Sequence, residues 1–280
     1  MDHQDKLVLA LVQMNSVDEK EDNLRRAETH VREAARGGAD LVVLPEFFNQ
    51  KYIFNERNAE HMKQAEHVTG PSITRMRNIA REAGVHLIAT IFEEERAGVH
   101  FDTSVVINRD GEIIGKYRKV HPGAMLSMET LYFRHGSKFP IFRIGSWRVG
   151  ITICYDTFFP EAARSCALNG AELIVVPFAA PQLPCWTEMM RTRALENGVY
   201  FAPCNKTGVE NGWTLMGGTM IVNPGGDVIA KFDEQREGII SAELSRAAVA
   251  QARIKHPFLR CRRPELYGSI TAQTEDTFQA

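Results

Sequence analysis

Cys154 closes an alternating apolar run, Val149-Gly150-Ile151-Thr152-Ile153, and opens a polar corner, Tyr155-Asp156-Thr157-Phe158-Phe159-Pro160-Glu161. A thiol at such a boundary meets substrate while the strand behind holds it rigid, which suits a nucleophile. A lone cysteine is more often a small buried hydrophobe, but three further segments change the reading here. Leu41-Val42-Val43-Leu44 stops at Pro45 and delivers Glu46 past the end of a buried strand. Desolvation there raises a carboxylate pKa, as a base that takes a thiol proton near neutrality requires. Lys116-Tyr117-Arg118-Lys119-Val120-His121-Pro122 leaves another strand with concentrated positive charge. A cation beside the thiol favours the thiolate and stabilises an oxyanion. Glu129 adds one more carboxylate, just before the aromatic cluster Leu131-Tyr132-Phe133.

In order and context these four segments resemble the carbon-nitrogen hydrolase family, also called the nitrilase superfamily. Pro45-Glu46-Phe47 is similar to its general-base motif, Tyr117-Arg118-Lys119-Val120-His121 to its lysine motif, and Ile153-Cys154-Tyr155-Asp156 to its nucleophile motif. Glu129 falls where the family's second glutamate would be. The likeness runs from about Leu7 to about Ser269. It implies a Glu46-Lys119-Cys154 triad supported by Glu129, no metal and no organic cofactor, and a four-layer α-β-β-α sandwich. It further implies hydrolysis of a small primary amide or N-carbamoyl compound, with ammonia released through a thioester or carbamoyl-thiol at Cys154. The tail, Ile254 through Tyr267, resembles the family's interface arm, so residues 254–280 are expected at the contact of a homodimer or higher homo-oligomer.

The elements that must position these groups leave traces of their own. Gly38-Ala39-Asp40-Leu41-Val42-Val43-Leu44-Pro45 has a counterpart in Gly170-Ala171-Glu172-Leu173-Ile174-Val175-Val176-Pro177. The hairpin Val106–Tyr117 likewise has a counterpart in Ile221–Phe232, with turn residues in the same places. Two similar α/β halves follow. Leu24, Ala27, Val31 and Ala34 form one helical stripe, and Asp18 and Glu21 are spaced as a capping box. Further strands are predicted over Leu7–Met14, Leu87–Phe92, Tyr200–Pro203 and Ile239–Ala242, and helices over Ser72–Ala83, Thr187–Asn197 and Arg246–Arg253. Apolar runs alternating with amphipathic helices argue for sheets covered by helices. In the second half the position of Glu46 is taken by Phe178, so one half alone carries the base.

Composition narrows the class. The 280 residues include 44% hydrophobic side chains, enough for a large core, and no linker or low-complexity stretch divides them, so one domain over 1–280 is expected. A net charge of -2 without a basic patch argues against nucleic acid. No apolar run approaches a membrane span and the first residues lack a signal peptide's apolar core, so a cytoplasmic enzyme without a membrane partner is expected. Five scattered cysteines suggest neither a disulfide framework nor a zinc site, and Cys166, Cys185, Cys204 and Cys261 are read as structural thiols.

Substrate preference is drawn from the neighbours of Cys154. Tyr52, Tyr155, Phe178, Ala179 and Trp186 are the candidate substrate-binding residues, with the Tyr155 N–H an oxyanion donor. Tyr155-Asp156 after the nucleophile looks more like the amidase and N-carbamoyl hydrolase branches than true nitrilases. Thr157 and Phe158 stand where a D-amino-acid carbamoylase would carry arginines. Arg260, Arg262 and Arg263 would supply an anion site or a subunit interface. His121 beside Lys119 permits a Cys–His pairing, but its place before Pro122 makes it a turn residue with a structural role. The alternatives are a nitrilase, a non-hydrolytic acyltransferase, or a redox-sensing thiol protein in which Cys166 would resolve an oxidised Cys154.

Overall fold

The computed structural model describes residues 5–232 and 234–272. The first half supplies strands β1 (Lys6–Gln13), β2 (Leu41–Val43), β3 (His86–Arg96), β4 (Val99–Ile107) and β5 (Ile113–Arg118). Helices α1 (Lys20–Arg36) and α2 (Pro71–Ala83) connect β1 to β2 and β2 to β3. The short helix α3 (Glu129–Tyr132) precedes the second half, which supplies β6 (Ile141–Ile144), β7 (Trp147–Ile151), β8 (Leu173–Phe178) and β9 (Tyr200–Asn205), with α4 (Pro160–Leu168) and α5 (Trp186–Asn197) between them. A separate hairpin, β10 (Thr207–Glu210) and β11 (Trp213–Met216), precedes β12 (Met220–Val222) and β13 (Val228–Lys231). Finally β14 (Gly238–Ser245) returns to the first half, followed by α6 (Arg246–Lys255).

Two six-stranded sheets result, in the orders β14-β1-β2-β3-β4-β5 and β13-β12-β9-β8-β7-β6. The internal repeat reappears strand for strand. β1, β2 and β3 run parallel and are followed by the antiparallel β4 and β5, just as β7, β8 and β9 are followed by β12 and β13. The two turns are built alike. Asn108 Oδ1 accepts from the N–H groups of Asp110 and Glu112, and Asn223 Oδ1 from those of Gly225 and Asp227.

Strand parity sorts the apolar side chains into three layers. Leu9, Leu11, Leu41, Val43, Ile88 and Val106 face Val149, Ile151, Leu173, Val175 and Ala202 across the sheet-to-sheet interface. The opposite parity of the first sheet, including Val12, Val42, Leu87 and Val105, packs on the α1 stripe Leu24, Ala27, Val31 and Ala34 and on Ile73, Met76 and Ile79 of α2. The outer face of the second sheet, including Ile174, Val176 and Phe201, packs on Ala163 and Ala167 of α4 and Met190 and Ala194 of α5. The architecture is therefore the expected four-layer α-β-β-α sandwich.

Some expectations need correction. The capping box at Asp18 and Glu21 does not form: α1 has Glu19 at its N-cap without a side-chain bond. Asp18 pairs instead with Lys51 and Glu21 with Arg75, while Asn23 bonds both backbone groups of Val17 and fixes the entry of the helix. Cys166 and Cys204 are buried, but Cys185 and Cys261 are exposed, because they lie in surface turns rather than on a core face. The tail expected as an arm is described to residue 272; Ile254, Leu266 and Ile270 are exposed on it, and 273–280 lie outside the described residues, as do 1–4. Among the described residues, no helix is long and apolar enough to cross a membrane.

Candidate active site

The site lies where the sheet-to-sheet layer meets the carboxyl ends of the parallel strands β2, β7 and β8, the end at which open α/β sheets hold ligands. Glu46 follows β2 and is fully buried. Phe47 behind it has φ 51°, a left-handed conformation that turns the chain sharply after the carboxylate. Lys119 follows β5 on the same parity as Tyr117, so its side chain enters the layer between the sheets, 1% exposed. Cys154 opens a 3-10 turn, Cys154–Phe158, with φ 43°. The corner is tied from below by the buried Asp156, which accepts from the Ile153 N–H, the Tyr117 hydroxyl and the His121 N–H. The His121 ring contacts Asp156 at 2.8 Å and stacks on Phe159 at 3.9 Å between centroids. His121 thus braces the corner.

Lys119 Nζ donates to Glu46 Oε1 and to Glu129 Oε2, each at 2.8 Å, and lies 3.1 Å from Asp102 Oδ2. Glu129 also accepts from the Tyr52 hydroxyl at 2.8 Å and from the Gly123 N–H at 2.7 Å. A Cβ at Gly123 would stand 3.2 Å from the Glu129 carboxyl, a tight approach. The carboxyl oxygens of Glu46, Asp102 and Glu129 lie within 4.8 Å of one another, close enough to suggest a metal site, but the Lys119 ammonium already reaches all three.

Burial raises the Glu46 carboxyl above its ordinary value, against the pull of Lys119. Burial opposes the charge on Lys119, yet the acidic groups around it, Glu129 and Glu46 foremost, together hold it well above the usual lysine range. Cys154 is pushed well up by burial and then by Glu46, which together outweigh the opposing effect of Lys119. Lys119 on its own favours the thiolate, but burial and Glu46 prevail, which fits a thiol whose proton must be taken by a base, as the sequence reading has Glu46 do.

A narrow cavity of about 40 Å³ opens over this group, lined by Tyr52, Gly123, Met125, Leu126, Ser127, Glu129, Cys154, Tyr155, Phe158, Ala179, Ala180, Pro181, Leu183 and Trp213. Of the five expected substrate-binding residues it includes Tyr52, Tyr155 and Ala179. Phe178 and Trp186 lie behind it. Strand parity is the reason: Phe178 shares the outward face of β8 with Ile174 and Val176, and Trp186 packs on it at 4.8 Å between ring centroids. Arg260, Arg262 and Arg263 are also absent from the lining. Trp213 and Asp102 are among the site residues that the sequence did not single out. Trp213 stacks on Tyr52 at 4.9 Å, and its signal was the Asn211-Gly212 turn that delivers it. Asp102 is a carboxylate inside a strand that the structure shows buried from His100 to Ile107, which the sequence alone did not single out because His100, Thr103 and Ser104 beside it are polar too.

A buried acid-lysine-acid array beside a thiol, between two sheets of matching topology, can be compared with known proteins. The carbon-nitrogen hydrolase family model matches residues 8–254. The chain belongs to the carbon-nitrogen hydrolase family. It is 35% identical to the nitrilase of Pyrococcus abyssi, over 92% of this chain and 98% of that protein. It is 34% identical to the omega-amidase NIT2 of Homo sapiens, over 92% of this chain and 96% of that one. A crystal structure of a carbon-nitrogen hydrolase from Helicobacter pylori G27 superposes with a TM-score of 0.92 at 26% identity, covering 97% of this chain and all of that one. As a member of this family the chain is an enzyme that hydrolyses carbon-nitrogen bonds.

Proposed function

We propose that the chain hydrolyses a small primary amide or N-carbamoyl compound with an uncharged, slender tail, using Cys154 as nucleophile and Glu46 as base. The observation that carries this reading is the Lys119 ammonium, buried between Glu46 and Glu129 at 2.8 Å from each. It can neutralise an oxyanion while the Glu46 carboxyl, raised above its ordinary value by burial, accepts and returns the proton.

Glu46 accepts the thiol proton as Cys154 Sγ attacks the carbonyl carbon. Lys119 and the Tyr155 N–H hold the oxyanion, where a fixed donor contributes about 3 kcal/mol. On collapse the C–N bond breaks and Glu46 passes its proton to the departing nitrogen, which leaves as ammonia. Glu46 then takes a proton from water as hydroxide adds to the thioester, or to the carbamoyl-thiol of a ureido substrate. The thiol departs with that proton. Glu129, saturated by Lys119, Tyr52 and Gly123, acts by fixing Lys119.

The cavity favours this substrate class. Apart from Glu129 its lining carries no charged side chain, and its walls are aromatic and aliphatic. The sensor alternative is less well supported, since burial pushes the Cys166 thiol up to about 12 and leaves it a poor resolving group. The test is ammonia release from primary amides, N-carbamoyl amines, N-carbamoyl amino acids and nitriles by wild type and Cys154→Ala. Release from uncharged amides or ureido compounds that vanishes in the variant is the expected result. Release from nitriles alone would transfer the chain to the nitrilase branch, and Cys154-independent release would end the thiol mechanism.

A further inference from the structure

Asp102 is 1% exposed on β4. Facing Phe92 and following the parity of Ser104 and Val106, it enters the layer between the sheets. The groups around it come from every neighbouring element: Glu46 after β2, Lys119 after β5, Glu129 on α3, with Tyr52 and Cys154 beyond. Along its own strand His100 is next on the same side and contacts Glu94 at 3.6 Å.

Three carboxyls thus share one ammonium. Glu129 takes donors on both oxygens, and Glu46 Oε1 takes one from Lys119. Among the described residues, Glu46 Oε2 and both oxygens of Asp102 have no donor, although Lys119 Nζ is 3.1 Å from Asp102 Oδ2. Three ionised carboxylates would leave this buried cluster with two net negative charges, which a low-dielectric site does not sustain. Glu46 and Asp102 offer carboxyl oxygens within 4.8 Å of each other, and the two can share a hydrogen bond only when one is protonated. Glu46 already accepts from Lys119 at 2.8 Å while neither Asp102 oxygen has a donor, so the proton belongs on Asp102, whose carboxyl burial raises well above its ordinary value.

We propose that Asp102 is a neutral carboxylic acid that donates its proton to Glu46, and thereby positions Glu46 as the ionised base. This rests on the reading of Glu46 as the base. Asp102 is a positioning residue: it removes the second excess charge, fixes the Glu46 carboxylate and leaves it basic enough for the thiol.

Two variants and two readouts test this. Infrared difference spectra of wild type against Asp102→Asn at neutral pH should show a carboxylic-acid carbonyl band that the variant lacks; no such band overturns the proposal. In turnover of the amide that serves best in the ammonia assay, Asp102→Ala should lower kcat by 30-fold or more with KM within threefold. Asp102→Asn, which keeps the shape and the donor, should recover at least a third of wild-type kcat, with denaturation curves confirming that both variants fold. If Asn is as damaged as Ala, Asp102 acts as a carboxylate, and if Ala is fully active it positions nothing; either overturns the proposal. An active Glu46→Gln would instead overturn the base assignment and leave the infrared band in place.

Discussion

The resting charges at the site set its pH dependence. Burial and Glu46 push the Cys154 thiol up, the surrounding carboxyls hold Lys119 well above the usual lysine value, and burial raises Glu46 above its ordinary value. Only ionised Glu46 can accept the thiol proton, so kcat/KM should rise with pH through the raised Glu46 value and be lost below it. A pH-rate profile of wild type checks this, and an acid limb at or below the usual glutamate value would contradict it. Glu46→Gln should lower kcat by about 10²–10⁴-fold, the usual contribution of a positioned base. Lys119→Met leaves Glu46 and Glu129 without their counter-ion and should cost about 3–5 kcal/mol of stability at neutral pH. Carboxyls held above their unfolded values bind protons more tightly in the folded state. The lost stability should therefore return as pH falls through the folded values, seen as a denaturation midpoint that rises on acidification.

At the scale of elements, loops are tied down by charge. The N-cap of α2 is Gly70, which has no side chain to offer. Glu66 does that work from outside the helix, accepting from the Ser72 N–H and hydroxyl while Lys20 donates to it. Burial alone would raise Glu66, but Lys20 and Ser72 prevail and hold it below the usual value. Its contribution is therefore complete above the unfolded glutamate pKa and is lost as pH falls through the lower folded value. Glu66→Gln should cost about 1 kcal/mol at neutral pH, as lost caps do, with the difference from wild type shrinking in acid denaturation titrations. A second device is wholly buried: Lys206 Nζ donates to Glu210 and to the Gln50 carbonyl, while Glu210 accepts from the Tyr52 and Ser16 N–H groups. This pair fixes the loop after Glu46 and the backbone of Tyr52, which in turn bonds Glu129. Lys206→Met should destabilise by about 3–5 kcal/mol, because Glu210 is left buried without its cation; a loss under 1 kcal/mol in denaturant would contradict that role.

The difference between what could and could not be read from the chain follows the same division. Glu46 and Cys154 each stand at the end of a short apolar run and Lys119 at the end of a basic strand, local patterns all, and the structure brings Lys119 to Glu46 at 2.8 Å although they come from separate segments. Helix stripes and the duplicated turn motifs were equally local. The capping box failed because Asp18 and Glu21 are drawn to Lys51 and Arg75, partners remote in sequence. Phe178 and Trp186 were misplaced because apolar character does not state which face of a fully buried strand points to the cavity. Asp102 was overlooked for a related reason: its meaning depends on Glu46 and Lys119 arriving from other strands.

For the whole molecule, the duplicated topology has an energetic consequence. Neither half closes its core alone, since the face of the first sheet that bears Leu9, Leu11, Leu41 and Val43 is covered by the second sheet, and β14 from the end of the chain completes the first sheet beside β1. The site inherits that dependence: Glu46 and Lys119 belong to the first half and Cys154 to the second, so their registry is set by the packing between sheets. A large-to-small change far from the chemistry but inside that layer should therefore weaken both. Leu9→Ala, at a fully buried position, should cost about 2–5 kcal/mol. Its loss should appear as one transition, with the near-UV and far-UV signals coincident in urea, because the halves share the layer that is damaged. Two separated transitions would mean that the halves are stable independently and that the sheet interface contributes little. Activity at temperatures below the transition should fall less than stability, since the catalytic groups keep their hydrogen bonds while the layer beneath them stays folded.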